Sequence, residues 1–162
     1  MGWTGTRKPR DIAAWLRQTL TWETPERRNR CLDVALLDRA REGYAAVETH
    51  DKATGAQHVW AAVFLFRHAP NARSGETFLY KDMTEHLGPV VAGCPERILD
   101  QLTDTDSESA RAWRARCRAR HARRAAARGL PIGTVVRFDR PIALCDERSA
   151  THFAYLRGST FY

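Results

Sequence analysis

The 162-residue chain reads as a single α+β domain, with N-terminal helices, an antiparallel sheet built on a central hairpin, an arginine-rich helix and a small C-terminal β meander or barrel. Three observations predict this. Apolar residues recur at helical spacing in some stretches and in short strand-like runs in others, and the two kinds do not alternate as βαβ units. The apolar fraction of 43% and charged fraction of 28% are those of a folded globular chain. The length suits one domain with a real core, in which residues 1–128 form an α/β part and 129–162 a β meander.

Taken in order, residues 10–20 place Ile12, Trp15, Leu16 and Leu20 on one helical face. Residues 21–43 predict a second helix, with Thr24 as cap, Pro25 at its first position, Cys31, Leu32, Ala35, Leu36 and Ala40 as its inner stripe, and Gly43 past its end. Tyr44–Thr49 and Val59–Phe66 read as a hairpin around "DKATG", the second strand apolar on both faces and therefore central. After a loop at 67–76, "TFLY" reads as a third strand, and the segment from Lys81 to Pro95 as a shaped corner punctuated by "GP" and "GCP". Pro95 opens a short helix carrying Ile98, Leu99 and Leu102. "TDTDSESARAWRARCRARHARRAAARG" is the clearest helix: acidic residues at its start, arginines toward its end, and Gly129 as stop. Only Ala110, Trp113 and Cys117 can dock it, so its last turns project or are covered by a partner. Val135, Phe138, Ile142 and Leu144 mark two strands around "DRP", and "HFAYL" and "STFY" supply more.

No stretch is apolar enough for a membrane span, and no signal-peptide pattern opens the chain, so a cytoplasmic location and no membrane partner are expected. The four cysteines lack C-x-x-C spacing and are expected to be reduced thiols. No local zinc spacing and no phosphate-cradling glycine loop is present, so neither metal nor cofactor is expected.

Charge is uneven. Residues 31–110 carry 7 Arg or Lys against 13 Asp or Glu, whereas residues 111–162 carry 12 against 3, within a net charge of +7. That asymmetry points to a polyanionic partner. A GC-rich coding bias explains part of it, since 23 of the 26 basic residues are Arg and Ala is abundant. Arg111, Arg114, Arg116, Arg118, Arg120, Arg123, Arg124 and Arg128 share a broad helical face. Guanidinium groups pair bidentately with phosphate, so this face suits nucleic acid or a nucleoprotein complex, and alternatively an acidic protein surface. A solvated Arg/Ala helix is the competing reading.

A second candidate lies in "YKDMTEHLGPVVAGCP". Asp82 and Glu85 are suited to acid and base roles, with His86 as shuttle and Cys94 as a nucleophile. On a helical turn Asp82 and His86 would share a face as two metal ligands, a third coming from His50 or His58. The same spacing makes Lys81 and Glu85 an ordinary ion pair and Asp82 a cap, which needs no chemistry. The five tryptophans are individually better explained as core anchors than as stacking platforms, Trp3 and Trp22 being the two to check for exposure.

The blocks "MGW", "YKDM" with its following "GP", "CPERILDQL", "TDTDSESARAWRARCR" and "PIGTVVRF", in that order, resemble an uncharacterised protein family of bacteriophages and mobile elements, a domain of unknown function. The family pattern often has an acidic residue after YKDM, where this chain has Thr84. The resemblance implies a phage or prophage origin in a bacterial host and no particular activity. A role against host defences is the extrapolation from that company. The alternatives from the residues are a small hydrolytic enzyme using Asp82, Glu85 and His86, and an assembly protein docking on an acidic partner.

Overall fold

A computed structural model describes residues 2–68, 78–127, 131, 133–143, 149–157 and 160–161. The fold is α+β, and the chain forms two compact units, residues 1–122 and 123–162.

The first unit is built on a six-stranded antiparallel sheet in the order β1-β6-β5-β4-β3-β2. Its strands are β1 (Thr4–Thr6), β2 (Trp22–Glu23), β3 (Arg27–Leu37), β4 (Glu42–Asp51), β5 (Gln57–His68) and β6 (Phe78–Thr84). The expected hairpin is β4–β5, and β5 is internal to the sheet as its two apolar faces require. Helix α1 (Ile12–Leu20) forms where expected, its N-terminus capped by Asp11, whose Oδ1 accepts from the Ala14 N–H at 3.0 Å.

The helix expected over residues 21–43 is instead the β2 and β3 strands and the start of β4. Thr24 does cap a turn, but a hairpin turn: its N–H donates to Arg27 O at 2.7 Å and its Oγ1 accepts from the Arg27 N–H at 3.1 Å. The misleading signal has a definite origin. A bulge between Cys31 and Asp33 inserts one residue into β3 and inverts its alternation. Asn29 and Cys31 before the bulge, and Val34 and Leu36 after it, therefore face the same side. A period-two pattern broken once in the middle imitates helical spacing. The turn into β4 passes through Asp38, Arg39 and Ala40, all with left-handed φ of 48°, 53° and 62°. Gly43, expected after a helix, lies within β4, where a Cβ would approach the Phe66 ring to 2.9 Å.

Alternation gives the sheet two covered faces. On one, Leu16 and Leu20 of α1 pack over Val34, Ala45, Val47, Ala62, Phe64, Phe66 and Phe78. Trp15 meets Phe64, Phe66, Phe78 and Tyr80 edge-on at 5.0–6.5 Å, an arrangement favoured by ring quadrupoles. On the other, α2 (Glu96–Leu99) and α3 (Glu108–Ala127) cover Ala35, Tyr44, Ala46, Ala61 and Val63 with Ile98, Leu99, Trp113 and Cys117. Helix α3 begins at Glu108, later than its acidic lead-in suggested, because Ser107 Oγ accepts the Ala110 N–H at 3.3 Å.

The corner expected from Lys81 onward is also corrected in part. Strand β6 runs through Thr84, pairing Lys81 with Leu65 and Asp82 with Phe64, and only Glu85–Leu87 form a 3-10 turn. The helical pairings 81/85 and 82/86 therefore do not exist. The bend comes later, at Gly88, whose φ is +60°.

The second unit contains the end of α3 and a three-stranded meander, β7 (Val135–Ala143), β8 (Ser149–Arg157) and β9 (Thr160–Phe161). Two strands were expected around "DRP", but one continuous strand carries it, the register slipping between Arg137 and Ile142 to accommodate Pro141. Phe138 and Phe153 meet edge-on at 5.5 Å. Arg128, Leu144 and Cys145 lie outside the described residues, as does the expected loop from residue 69 on.

Candidate functional site

The two sequence candidates meet in one structural knot. Glu85 is fully buried, and its carboxylate accepts from Arg114 at both oxygens, Nε at 2.6 Å and Nη2 at 2.7 Å. The reason for its position lies in the sheet. The β5–β6 ladder ends at Ala62–Thr84, and the next β5 N–H, that of Ala61, donates to Glu85 Oε1 at 3.2 Å. A carboxylate thus stands where a strand carbonyl is missing. Val59 is served by Thr103, whose Oγ1 accepts its N–H at 3.1 Å, and Arg114 Nη1 donates to Thr103 O at 2.6 Å. Arg114 therefore locks α3 to the sheet edge.

Asp82 and His86 do not join Glu85. Both are exposed; Asp82 stands opposite Phe64 on the α1-covered face, whereas Glu85 points to the α3 side. Cys94, considered as a nucleophile, is fully buried beside Cys117 in the core, and burial pushes its thiol far up from its ordinary range. The Cys117 thiol is raised to about 11 for the same reason. Cys31, Cys94 and Cys117 are free thiols. Among the described residues, no group of three or more His, Cys, Asp or Glu is placed to hold a metal ion. No described helix is long and apolar enough to cross a membrane.

The segment 88–95 is held by α3. Trp113 Nε1 donates to Val91 O at 2.8 Å, Arg116 Nη2 to Pro89 O at 2.9 Å, and His121 Nε2 to Cys94 O at 2.7 Å. Gly93 permits the closest approach: its N–H donates to Tyr44 Oη at 3.1 Å, and a Cβ there would lie 2.9 Å from Glu42 Oε2. Tyr44 in turn donates to Glu42 Oε2 at 2.6 Å, and burial holds its hydroxyl protonated well beyond the usual range.

The arginines of α3 consequently divide. Arg114 and Arg116 are committed to the fold, and Arg118 pairs with Asp100 at 3.7 Å across an exposed gap. Arg111 opens onto a cleft of about 720 Å³ that it shares with Asp104, Asp106, Arg114 and Arg118, so its surroundings are of mixed charge. Arg120 in the first unit, and Arg123 and Arg124 in the second, make no side-chain hydrogen bond or ion pair among the described residues. No acidic residue occurs between Glu108 and Asp139 to compensate them. A sequence wheel puts all these arginines on one broad face; only the contacts separate structural from uncommitted ones.

Of the tryptophans, Trp113 is fully buried, Trp15 anchors the α1 layer and Trp60 is half-buried. Trp3 and Trp22 are exposed at 37% and 43%, Trp3 lying under the Arg67 guanidinium at 4.3 Å from its ring centroid.

The class defined so far is an α+β protein whose first unit carries a helix-covered antiparallel sheet and an arginine-bearing helix. The comparisons with known proteins add one match: a domain of unknown function (DUF6927) over residues 104–161. That span takes in α3 and the C-terminal meander, and with them the "PIGTVVRF" block and all but the first residue of "TDTDSESARAWRARCR". No curated protein and no solved structure matches the chain.

Proposed function

We propose that the protein is an accessory factor of a phage or mobile element that binds nucleic acid, or a nucleoprotein complex of the host, through the uncommitted arginines of α3. The observation supporting this reading is that charge compensation along the helix stops after Arg118. Upstream, Arg114, Arg116 and Arg118 meet Glu85, backbone carbonyls or Asp100, and Arg111 shares its cleft with Asp104 and Asp106; downstream, Arg120, Arg123 and Arg124 meet no anion among the described residues. A run of arginines held on a helix without acidic neighbours is a polyanion-binding surface whose affinity comes from phosphate contact and carries no base sequence information. Obstruction of a host defence complex follows where that complex exposes nucleic acid.

The test is binding of labelled single- and double-stranded DNA and RNA across a salt series. Affinity falls as salt rises, and Arg120→Ala/Arg123→Ala/Arg124→Ala flattens the log–log slope by roughly 0.7–0.9 for each phosphate that is no longer neutralised. Binding that ignores salt, or none at low salt, overturns the reading. Retention of an acidic protein with no nucleic-acid binding favours the docking alternative instead.

A further inference from the structure

The α1-covered face of the sheet is not apolar throughout. Beyond the end of α1 it carries a row of directly opposed residues across four strands: Trp22 pairs with Asn29, Asn29 with Thr49, and Thr49 with His58. Directly opposed residues project to the same side, so these four side chains stand together. Arg27 and Asp51 form the next opposed pair, and Trp60, Thr84 and His86 complete the walls of a hollow of about 400 Å³.

The floor of this hollow is a built polar chain. The Trp60 Nε1–H donates to Thr49 Oγ1 at 2.9 Å, and the Thr49 hydroxyl lies 2.9 Å from Asn29 Oδ1. The Thr49 hydroxyl accepts from the indole and donates to Asn29 Oδ1, so the carbonyl side of that amide faces Thr49. The Asn29 amide nitrogen is thereby left without a partner among the described residues. Asn29 is 6% exposed and lines the hollow, so its two N–H groups are presented into it. Among the described residues no buried side-chain nitrogen or oxygen lacks a partner, so the Asn29 nitrogen is open to solvent within the hollow: an oriented donor on a 6%-exposed residue, available to a ligand. Above it, the half-buried Trp60 and exposed Trp22 offer aromatic surface, the imidazoles of His58 and His86 offer hydrogen-bonding groups, and Arg27 and Asp51, a loose ion pair at 3.9 Å, offer a cation and an acceptor. Asp51 is held as an anion by the backbone N–H groups of Thr54 and Ala53, at 3.0 and 3.1 Å.

We propose that this hollow binds one nucleotide unit: a base against the indoles with its polar edge on the Asn29 amide, phosphate on Arg27 and the histidines, and sugar hydroxyls on Asp51. A planar aromatic ring, an anion and hydroxyls together match the three kinds of group that line the hollow; an aliphatic or purely anionic ligand would leave the indoles or Asp51 unused. The site is independent of α3, which packs on the opposite face of the sheet. It fits equally a free mononucleotide or the end of a single strand.

Calorimetric titration of the full chain with each of AMP, GMP, CMP and UMP, and with 5′-phosphorylated single-stranded tetranucleotides, separates those sources. Saturable binding of a monophosphate assigns a free nucleotide; saturable binding of the tetranucleotide alone assigns a strand end. In either case Trp22→Ala weakens binding roughly tenfold to a hundredfold, the worth of one stacked base. Asn29→Asp keeps the acceptor for Thr49 but replaces the donors by an anion, and lowers affinity at least tenfold; His86→Ala, at an exposed position, provides a third variant that leaves the fold intact. Arg120→Ala/Arg123→Ala/Arg124→Ala leaves mononucleotide binding unchanged, so the two readings fail separately. No saturable binding of any probe, or affinities unmoved by both Trp22→Ala and His86→Ala, overturns the proposal.

Discussion

Glu85→Ala strips the partner from a guanidinium that the fold has already taken out of water. The Arg114 side chain is 11% exposed and the Glu85 side chain not at all. Both hydrogen bonds of the pair disappear, Arg114 keeps only Thr103 O, and the Ala61 N–H loses its acceptor. Breaking a buried pair from one side costs about 3–5 kcal/mol, a large part of the roughly 5–15 kcal/mol that holds a domain together. The Lys52–Glu23 pair is an internal control: its separation is also 2.6 Å, but its side chains are 31% and 59% exposed. Solvent and salt screen such a pair, so Glu23→Ala leaves stability nearly unchanged. Equal distance with unequal burial isolates burial as the cause. All five tryptophans lie within the first unit, so urea unfolding followed by tryptophan fluorescence reports on that unit alone. The double variant Glu85→Leu/Arg114→Leu removes both charges together and falls well short of the sum of the single-variant costs. Single-variant costs below about 1 kcal/mol, or strict additivity in the double variant, would show that the pair is merely a surface contact and refute the reasoning.

Further outcomes can be checked on the same protein. Gly93→Ala drives a Cβ against Glu42 Oε2 and Tyr44 Oη and lowers stability by about 1–3 kcal/mol, read by the same urea titration. In a Cys145→Ser background at pH 8, a soluble disulfide reagent labels half-buried Cys31 quickly, and Cys94 and Cys117 only on unfolding; rapid labelling of Cys117 in native protein would contradict its burial. Because the Cys117 thiol is raised in the folded state, the unfolded chain ionises first: stability from this group is complete below about 9 and drains away as pH rises toward about 11. Denaturation midpoints across that window fall in the parent protein, and fall less in Cys117→Ala.

Much of the architecture was legible from the chain. The α1 stripe, the β4–β5 hairpin, α3 and the C-terminal meander all follow from spacing, caps and turn residues, because each is specified by neighbours close in sequence. Strand β3 was not legible, since one bulge residue inverted its alternation and only pairing with β4 reveals the phase. The continuation of β6 through Asp82 was hidden likewise, its pattern depending on a partner strand.

The sequence alone determined the composition of the candidate sites: an arginine-laden helix, a Glu and a His near a corner, and two tryptophans worth checking for exposure. Tertiary structure decided their commitments. It spent Glu85 and Arg114 on each other, because a sheet edge that loses its neighbouring strand leaves an N–H to be answered and a helix to be tethered. It also drew Trp22, Asn29, Thr49 and His58 from four strands into one row. Register between strands sets which side chains face one another, and register is a property of pairing that no single stretch of chain contains.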